Sequence, residues 1–179
     1  MYSVVQKGAR GREYRGALQW IEDAGMICRC YNLNITGLPL DGNAISDCFK
    51  VYTTDIGLFV AMLEKGTVKS ILQGDLSSYK GAIFENAAAD VFHKMGRKLY
   101  YFHKDSGLEV DFVIRWRGEC VLVEVKATTG NVKSTKSILK MPSKYNVSQA
   151  IKLGDYNVGR SENNILTLPF YMAFLLTEE

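Results

Sequence analysis

The tightest constraint on how this chain folds is a pair of valine-rich segments, EVDFVI at 109–114 and VLVEVKA at 121–127, separated by only RWRGEC. Runs this rich in valine and isoleucine favour extended backbone. Strand side chains alternate faces, so Glu109, Asp111 and Val113 oppose Val110, Phe112 and Ile114 in the first strand. In the second, Leu122, Glu124 and Lys126 oppose Val121, Val123 and Val125. If Arg117-Gly118 is a two-residue hairpin turn, Trp116 pairs with Glu119, and the ladder sets Asp111 opposite Glu124 and Glu109 opposite Lys126.

Opposed residues of an antiparallel ladder point to one side with their Cβ atoms roughly 4.5–5.5 Å apart, so two carboxylates placed there repel unless a positive charge lies between them. Magnesium takes octahedral oxygen ligands and keeps some of its waters. Asp111, Glu124, the main-chain carbonyl of Val125 and solvent are a set that suits Mg²⁺ or Mn²⁺. Glu85, on the helix expected just before these strands, supplies a third carboxylate. Lys126 follows Glu124 on the same face and is placed to orient or deprotonate a water attacking a metal-bound phosphate. The competing reading is a half-buried salt-bridge network, with Glu109 and Lys126 as a cross-strand pair and Glu85 an ordinary helix-surface carboxylate. Pair by pair that reading is the commoner one; the combination of helix Glu, strand Asp and Glu-x-Lys on an otherwise apolar strand favours the metal site.

Around this centre the sequence predicts alternating helices and strands. Residues 10–24 carry Tyr14, Ala17, Leu18, Ile21 and Ala24 at helical spacing, ended by Gly25. Strands are expected at 26–33 and 49–53, and a helix at 56–63 capped by Asp55. Together they suggest a small winged-helix-like lobe over residues 1–74, with Gly66 and Gly74 marking the joint. Residues 75–179 form the second domain. Its long helix starts at Ser77 or Ser78, runs to Gly96 and carries the apolar stripe Phe84, Ala87, Ala88, Val91, Phe92 and Met95. Strands at 99–103, 108–114 and 120–127 follow, then a helix at 134–145 broken by Pro142, a strand at 149–153, and a last short strand and helix.

At 179 residues the chain is long enough for a core domain with an accessory lobe. Its 47% hydrophobic and 23% charged residues are those of an ordinary globular protein. No apolar run approaches the roughly 18 residues that span a bilayer, and no apolar stretch backs the first positive charges, so the expected location is the cytoplasm. Cys28, Cys30, Cys48 and Cys120 match neither a zinc spacing nor a disulfide framework and read as reduced, part-buried thiols. The net charge of +3 is small, but residues 125–154 contain no Asp or Glu and carry Lys126, Lys133, Lys136, Lys140, Lys144 and Lys152. A second basic group, Lys7, Arg10, Arg12 and Arg15, opens the chain. Such runs are usually a solvated face; a polyanion-facing surface, with DNA as partner, is the alternative.

GLEVDFVI followed by CVLVEVKA resembles the signature of the PD-(D/E)XK nuclease superfamily, with Asp111 as its strand aspartate and Glu124-Val125-Lys126 as its (D/E)XK element. Glu85 in GAIFENAAADVF resembles the helix glutamate of many members. KVYTTDIGL at 50–58, GAIFEN at 81–86 and the opening VVQKGARGREYRGALQWIEDAGMI are similar to the region that follows the ATPase module in a large prokaryotic family of AAA-type P-loop ATPases, where it is catalogued as a domain of unknown function. The resemblance implies an α/β (α+β), restriction-endonuclease-like mixed sheet with flanking helices, metal-dependent DNA phosphodiester hydrolysis, an ATPase partner in cis or in trans, and a homodimer. It also implies, as the alternative, a non-catalytic module that keeps the fold and binds DNA or an ATPase. No G-x-x-x-x-G-K-[ST] loop is present, so nucleotide hydrolysis is not carried over to this chain.

His93 and His103 have no Cys or His partner at ligand spacing and receive no role. Tyr52, Tyr100 and Tyr101 have two readings, half-buried packing or contact with nucleic-acid bases.

Overall fold

The computed structural model describes residues 11–75, 79–127, 130–161 and 163–177. The expected cap at Ser77 or Ser78, the basic residues Lys7 and Arg10 and the Arg12 side chain lie outside the described residues. The chain is a mixed α/β protein. Helix α1 (Gly11–Asp23), strands β1 (Ile27–Leu33) and β2 (Ala44–Thr53), and helices α2 (Ile56–Ala61) and α3 (Thr67–Leu72) come first. Helix α4 (Lys80–Lys94) then leads into β3 (Leu99–His103), β4 (Glu109–Val110), β5 (Phe112–Trp116) and β6 (Glu119–Lys126). Helices α5 (Lys133–Leu139) and α6 (Pro142–Tyr145), strands β7 (Gln149–Gly154), β8 (Gly159–Arg160) and β9 (Ile165–Pro169), and a 3-10 turn at Phe170–Leu175 complete the order.

The strands form two mixed sheets, β2-β1-β3-β4 and β5-β6-β7-β9-β8. Only Asp111 separates β4 from β5, so a single residue carries the chain from one sheet into the other. The expected uninterrupted strand at 108–114 is therefore corrected: it breaks at Asp111. The break also changes which way its neighbours face. Phe112 and Ile114 join Val121, Val123 and Val125 in the core beneath α4. Val110, expected beside them, instead lies with Val113 and Leu122 in the second core, beside Ile138 of α5.

The hairpin itself has the expected register, from Trp116↔Glu119 to Phe112↔Val123. Its turn residues Arg117 and Gly118 both have positive φ, 52° and 78°, the backbone of a two-residue turn matched to strand twist. Gly96 ends α4 in the same left-handed region (φ 79°). The main chain closes there in a Schellman pattern, with Arg97 N–H donating to Phe92 O and Gly96 N–H to His93 O. Asp55 caps α2 as expected, its Oδ1 accepting from Leu58 N–H at 2.7 Å.

The first segment, expected as a winged-helix-like lobe over 1–74, shares a sheet and a core with the second. Strand β1 runs parallel to β3, pairing Cys30 with Leu99 and Asn32 with Tyr101. The buried Asn32 continues that ladder with its side chain, accepting from His103 N–H at 2.8 Å and donating to His103 O at 3.2 Å. Cys28, Cys30 and Tyr52 share the core of Phe92 and Phe112. The physical reason is that a two-stranded β1–β2 hairpin is marginal alone and needs a third strand with an apolar face.

Helix α1 meets β1 through ions, with Arg29 Nε donating to Glu22 at 2.7 Å. Its apolar residues largely face outward: Trp20 is 81% exposed and Ala17 and Ile21 are also exposed. The other tryptophan, Trp116, is 7% exposed under the Arg117 guanidinium. The four cysteines are free thiols; burial raises Cys28 and Cys120 to about 11 and pushes Cys30 up as well. Among the described residues no helix is long and apolar enough to cross a membrane.

Candidate functional site: a carboxylate–lysine cluster at the sheet fork

Where the β4–β5 strand breaks, the β5–β6 ladder loses its next partner. Phe112↔Val123 is its last rung on that side, and an unpaired Val125 amide there would cost free energy. The Asp111 carboxylate takes that place, its Oδ2 accepting from Val125 N–H at 2.8 Å. In an antiparallel strand the amide and carbonyl of one residue face the same neighbour, so the Val125 carbonyl faces the fork as well.

Glu124 is 4% exposed and its Oε1 accepts from the fully buried Thr135 hydroxyl of α5 at 2.6 Å. Lys126 Nζ lies 2.8 Å from Glu124 Oε2 and 3.4 Å from Asp111 Oδ2. The expected juxtaposition of Asp111, Glu124 and Lys126 is thus found. The expected Glu109–Lys126 pair is not. The bend at Asp111 carries Glu109 into the other sheet opposite His103, where its Oε1 lies 3.0 Å from Lys50 Nζ.

Lys50 also holds Glu85, at 3.1 Å, and Tyr52 Oη donates to the same Glu85 oxygen. Helix α4 is fixed against β2 by the next residue, Asn86, which is 3% exposed. Its Oδ1 accepts from Thr53 N–H and its Nδ2 donates to Thr53 O, both at 2.9 Å. This mimics a strand partner and sets the height at which Glu85 leaves the helix.

The electrostatics follow from burial. Asp111 is raised to about 6, first by desolvation and then by the neighbouring Glu124 charge, with Glu85 adding in the same direction. Lys126 is raised as well: burial opposes its charge, but Asp111 and Glu124 together outweigh that. Glu109 is lowered chiefly by its hydrogen bond from Lys50. Four carboxylates and two ammonium groups leave this cluster two negative charges in excess.

Glu85 points toward Lys50 and Tyr52. Among the described residues no three His, Cys, Asp or Glu side chains are arranged as a metal cage. A ligand set here therefore rests on Asp111, Glu124, the Val125 carbonyl and solvent, with Glu85 further off. Lys50, Thr135 and Asn86 went unnoticed in the sequence. Lys50 and Asn86 stand inside the segments KVYTTDIGL and GAIFEN, but Thr135 left no signal. Tyr52, Tyr100 and Tyr101 are buried in the sheet, with the Tyr52 hydroxyl donating to Glu85 and the Tyr100 hydroxyl to Asp41. Lys133, Lys136, Lys140 and Lys144 are exposed along α5 and α6.

No curated protein and no solved structure matches the chain. Residues 1–79 match a family described as a domain of unknown function (DUF8612). A second family matches residues 80–171, a segment that makes up half of the chain and holds Glu85, Asp111, Glu124 and Lys126. On that match the chain belongs to the family described as Domain of unknown function (DUF4143).

Proposed function

We propose that the fork is the active centre of a Mg²⁺- or Mn²⁺-dependent DNA phosphodiesterase with a restriction-endonuclease-like core. The observation that carries the reading is the buried Glu124 and half-buried Asp111 bridged by Lys126, at a hairpin whose sequence resembles PD-(D/E)XK nucleases. The oxygen donors fit a hard divalent cation, and the excess of two negative charges equals the charge of one such ion. Asp111, Glu124 and the Val125 carbonyl would hold it, with Glu85 as a further ligand or as the group that positions a water. When bound, the ion polarises the scissile phosphate and offsets the charge that develops on its oxygens.

Lys126 acts through its charge. It stays protonated, because Asp111 and Glu124 support its charge against burial. Placed beside both carboxylates, its ammonium would orient the attacking water and offset charge on the phosphate. The exposed lysines of α5 and α6 meet the DNA backbone without reading its sequence.

One observation favours a second reading, a non-catalytic module that binds DNA or an ATPase. Lys126 neutralises both carboxylates by itself, and the exposed apolar face of α1 is a surface on which an ATPase module, in cis or in trans, would dock. Cleavage of linear and supercoiled DNA with Mg²⁺ or Mn²⁺ separates the two. Cutting by the parent that disappears in both Asp111→Ala and Lys126→Ala is the expected result. A folded parent that cuts neither substrate would leave the binding module as the reading.

A further inference from the structure

Strand β7 ends beside the fork at a pocket of about 490 Å³ lined by the rings of Phe84, Tyr156, Phe170 and Tyr171. Its walls adjoin the carboxylate cluster in two ways. Phe84 precedes Glu85 on α4, and Gly154 is the residue paired with Lys126 across β6 and β7. A side chain at Gly154 would collide with the Lys126 main-chain oxygen and with the Tyr156 ring, so only a bare backbone fits where the pocket wall passes Lys126.

The rings are ordered. Phe84 and Phe170 meet edge to face with centroids 5.2 Å apart, the Lys152 ammonium lies 4.3 Å from the Tyr156 centroid, and Lys80 lies 5.9 Å from that of Phe84. Tyr171, at the mouth, is 74% exposed, too open for its ring to serve the core. Asp155 is also exposed and lines the same space.

These groups select an occupant. A carboxylate repels a phosphate but accepts hydrogen bonds from the amino groups of a base, and aromatic rings stack on a base of any identity. Paired bases of a duplex have their faces covered by neighbours, so only an unstacked base enters such a pocket. The two lysines beside the rings suit the backbone on either side of it.

Resting on the phosphodiesterase reading above, we propose that the pocket seats an unpaired base of single-stranded DNA next to the phosphate presented to Asp111 and Glu124. The substrate class is then single strands, overhangs and flaps in preference to uninterrupted duplex.

The test measures binding and cutting separately. A fluorescein-labelled single-stranded oligonucleotide and its duplex are titrated with the full chain by anisotropy, with Ca²⁺ replacing Mg²⁺ to suppress cutting. Expected is tighter binding of the single strand, weakened about tenfold by Tyr171→Ala and retained by Tyr171→Phe. Equal affinity of parent and Tyr171→Ala for the single strand, or tighter binding of the duplex by the parent, overturns the pocket. Cleavage with Mn²⁺ is followed in parallel. A parent that binds as expected but never cuts removes the phosphodiesterase reading and leaves the base pocket standing. A parent that cuts single strand and duplex at one rate, unchanged in Tyr171→Ala, does the reverse.

Discussion

Asp111 interrupts a strand, supplies a ladder partner from its side chain and holds a proton more tightly than an ordinary aspartate. The last property has a thermodynamic consequence. An acid whose folded-state pKa, about 6, exceeds its ordinary 3.8 favours the fold fully below the lower value and loses that contribution as pH rises through the higher one. Above about pH 6 the native state carries a buried charge it would rather not have. Asp111→Asn keeps an oxygen for the Val125 amide and removes that charge. In metal-free buffer it is expected to stabilise the chain by on the order of 1 kcal/mol near pH 7.5, with the gain shrinking toward pH 4. Thermal melts of both proteins across that range check it; a variant less stable than the parent near neutrality would contradict the electrostatic account. The pairing of Asp111 with Glu124 and Lys126 was legible because a two-residue turn and strict alternation fix register locally. The break at Asp111 was not, since alternation assumes a continuous strand and nothing in EVDFVI marks where it bends.

Among the elements, α4 and β2 depend on a contact between residues 33 positions apart, Asn86 with Thr53. Three hydrogen bonds join them, and Asn86→Ala leaves the Thr53 amide and carbonyl without this partner in a part-buried setting. The expected loss is about 2–3 kcal/mol, read as a fall of roughly 5–10 °C in melting temperature. Because Asn86 sets the position of Glu85, any metal-dependent cutting should fall with it more than the stability loss alone explains, measured well below the variant's melting temperature. Helix periodicity placed α4 and its apolar stripe correctly. It could not show that β2 begins at Ala44, five residues before the expected start, with a register shift opposite Tyr31 and Asn32. Nor could it find Lys50 between Glu85 and Glu109: such partners are set by strand order, and strand order is not written in any one segment.

For the whole molecule, the family boundary at residues 79 and 80 and the fold divide the chain differently. Strand β3 lies between β1 and β4 in one sheet, and one core takes side chains from both segments. Residues 80–179 produced alone would expose the β1 edge of β3 and lose Cys28, Cys30 and Tyr52 from that core. They are expected to show no cooperative melt, whereas the full chain unfolds in one transition by calorimetry and circular dichroism alike. A sharp melt from the shorter chain would mean that the first segment only decorates a self-sufficient domain.

The placement of the two tryptophans gives the molecule two built-in optical probes. Trp116, sealed in the hairpin, is expected to emit at short wavelength until the sheet opens. Trp20 faces water on α1 and is expected to emit at long wavelength already in the native state. Unfolding therefore moves the colour of one and leaves the other in place, while anything that settles on α1 shifts Trp20 toward the blue with the fold intact. Replacing either ring with phenylalanine assigns the signals and turns intrinsic fluorescence into a direct readout of whether that helix has found a partner.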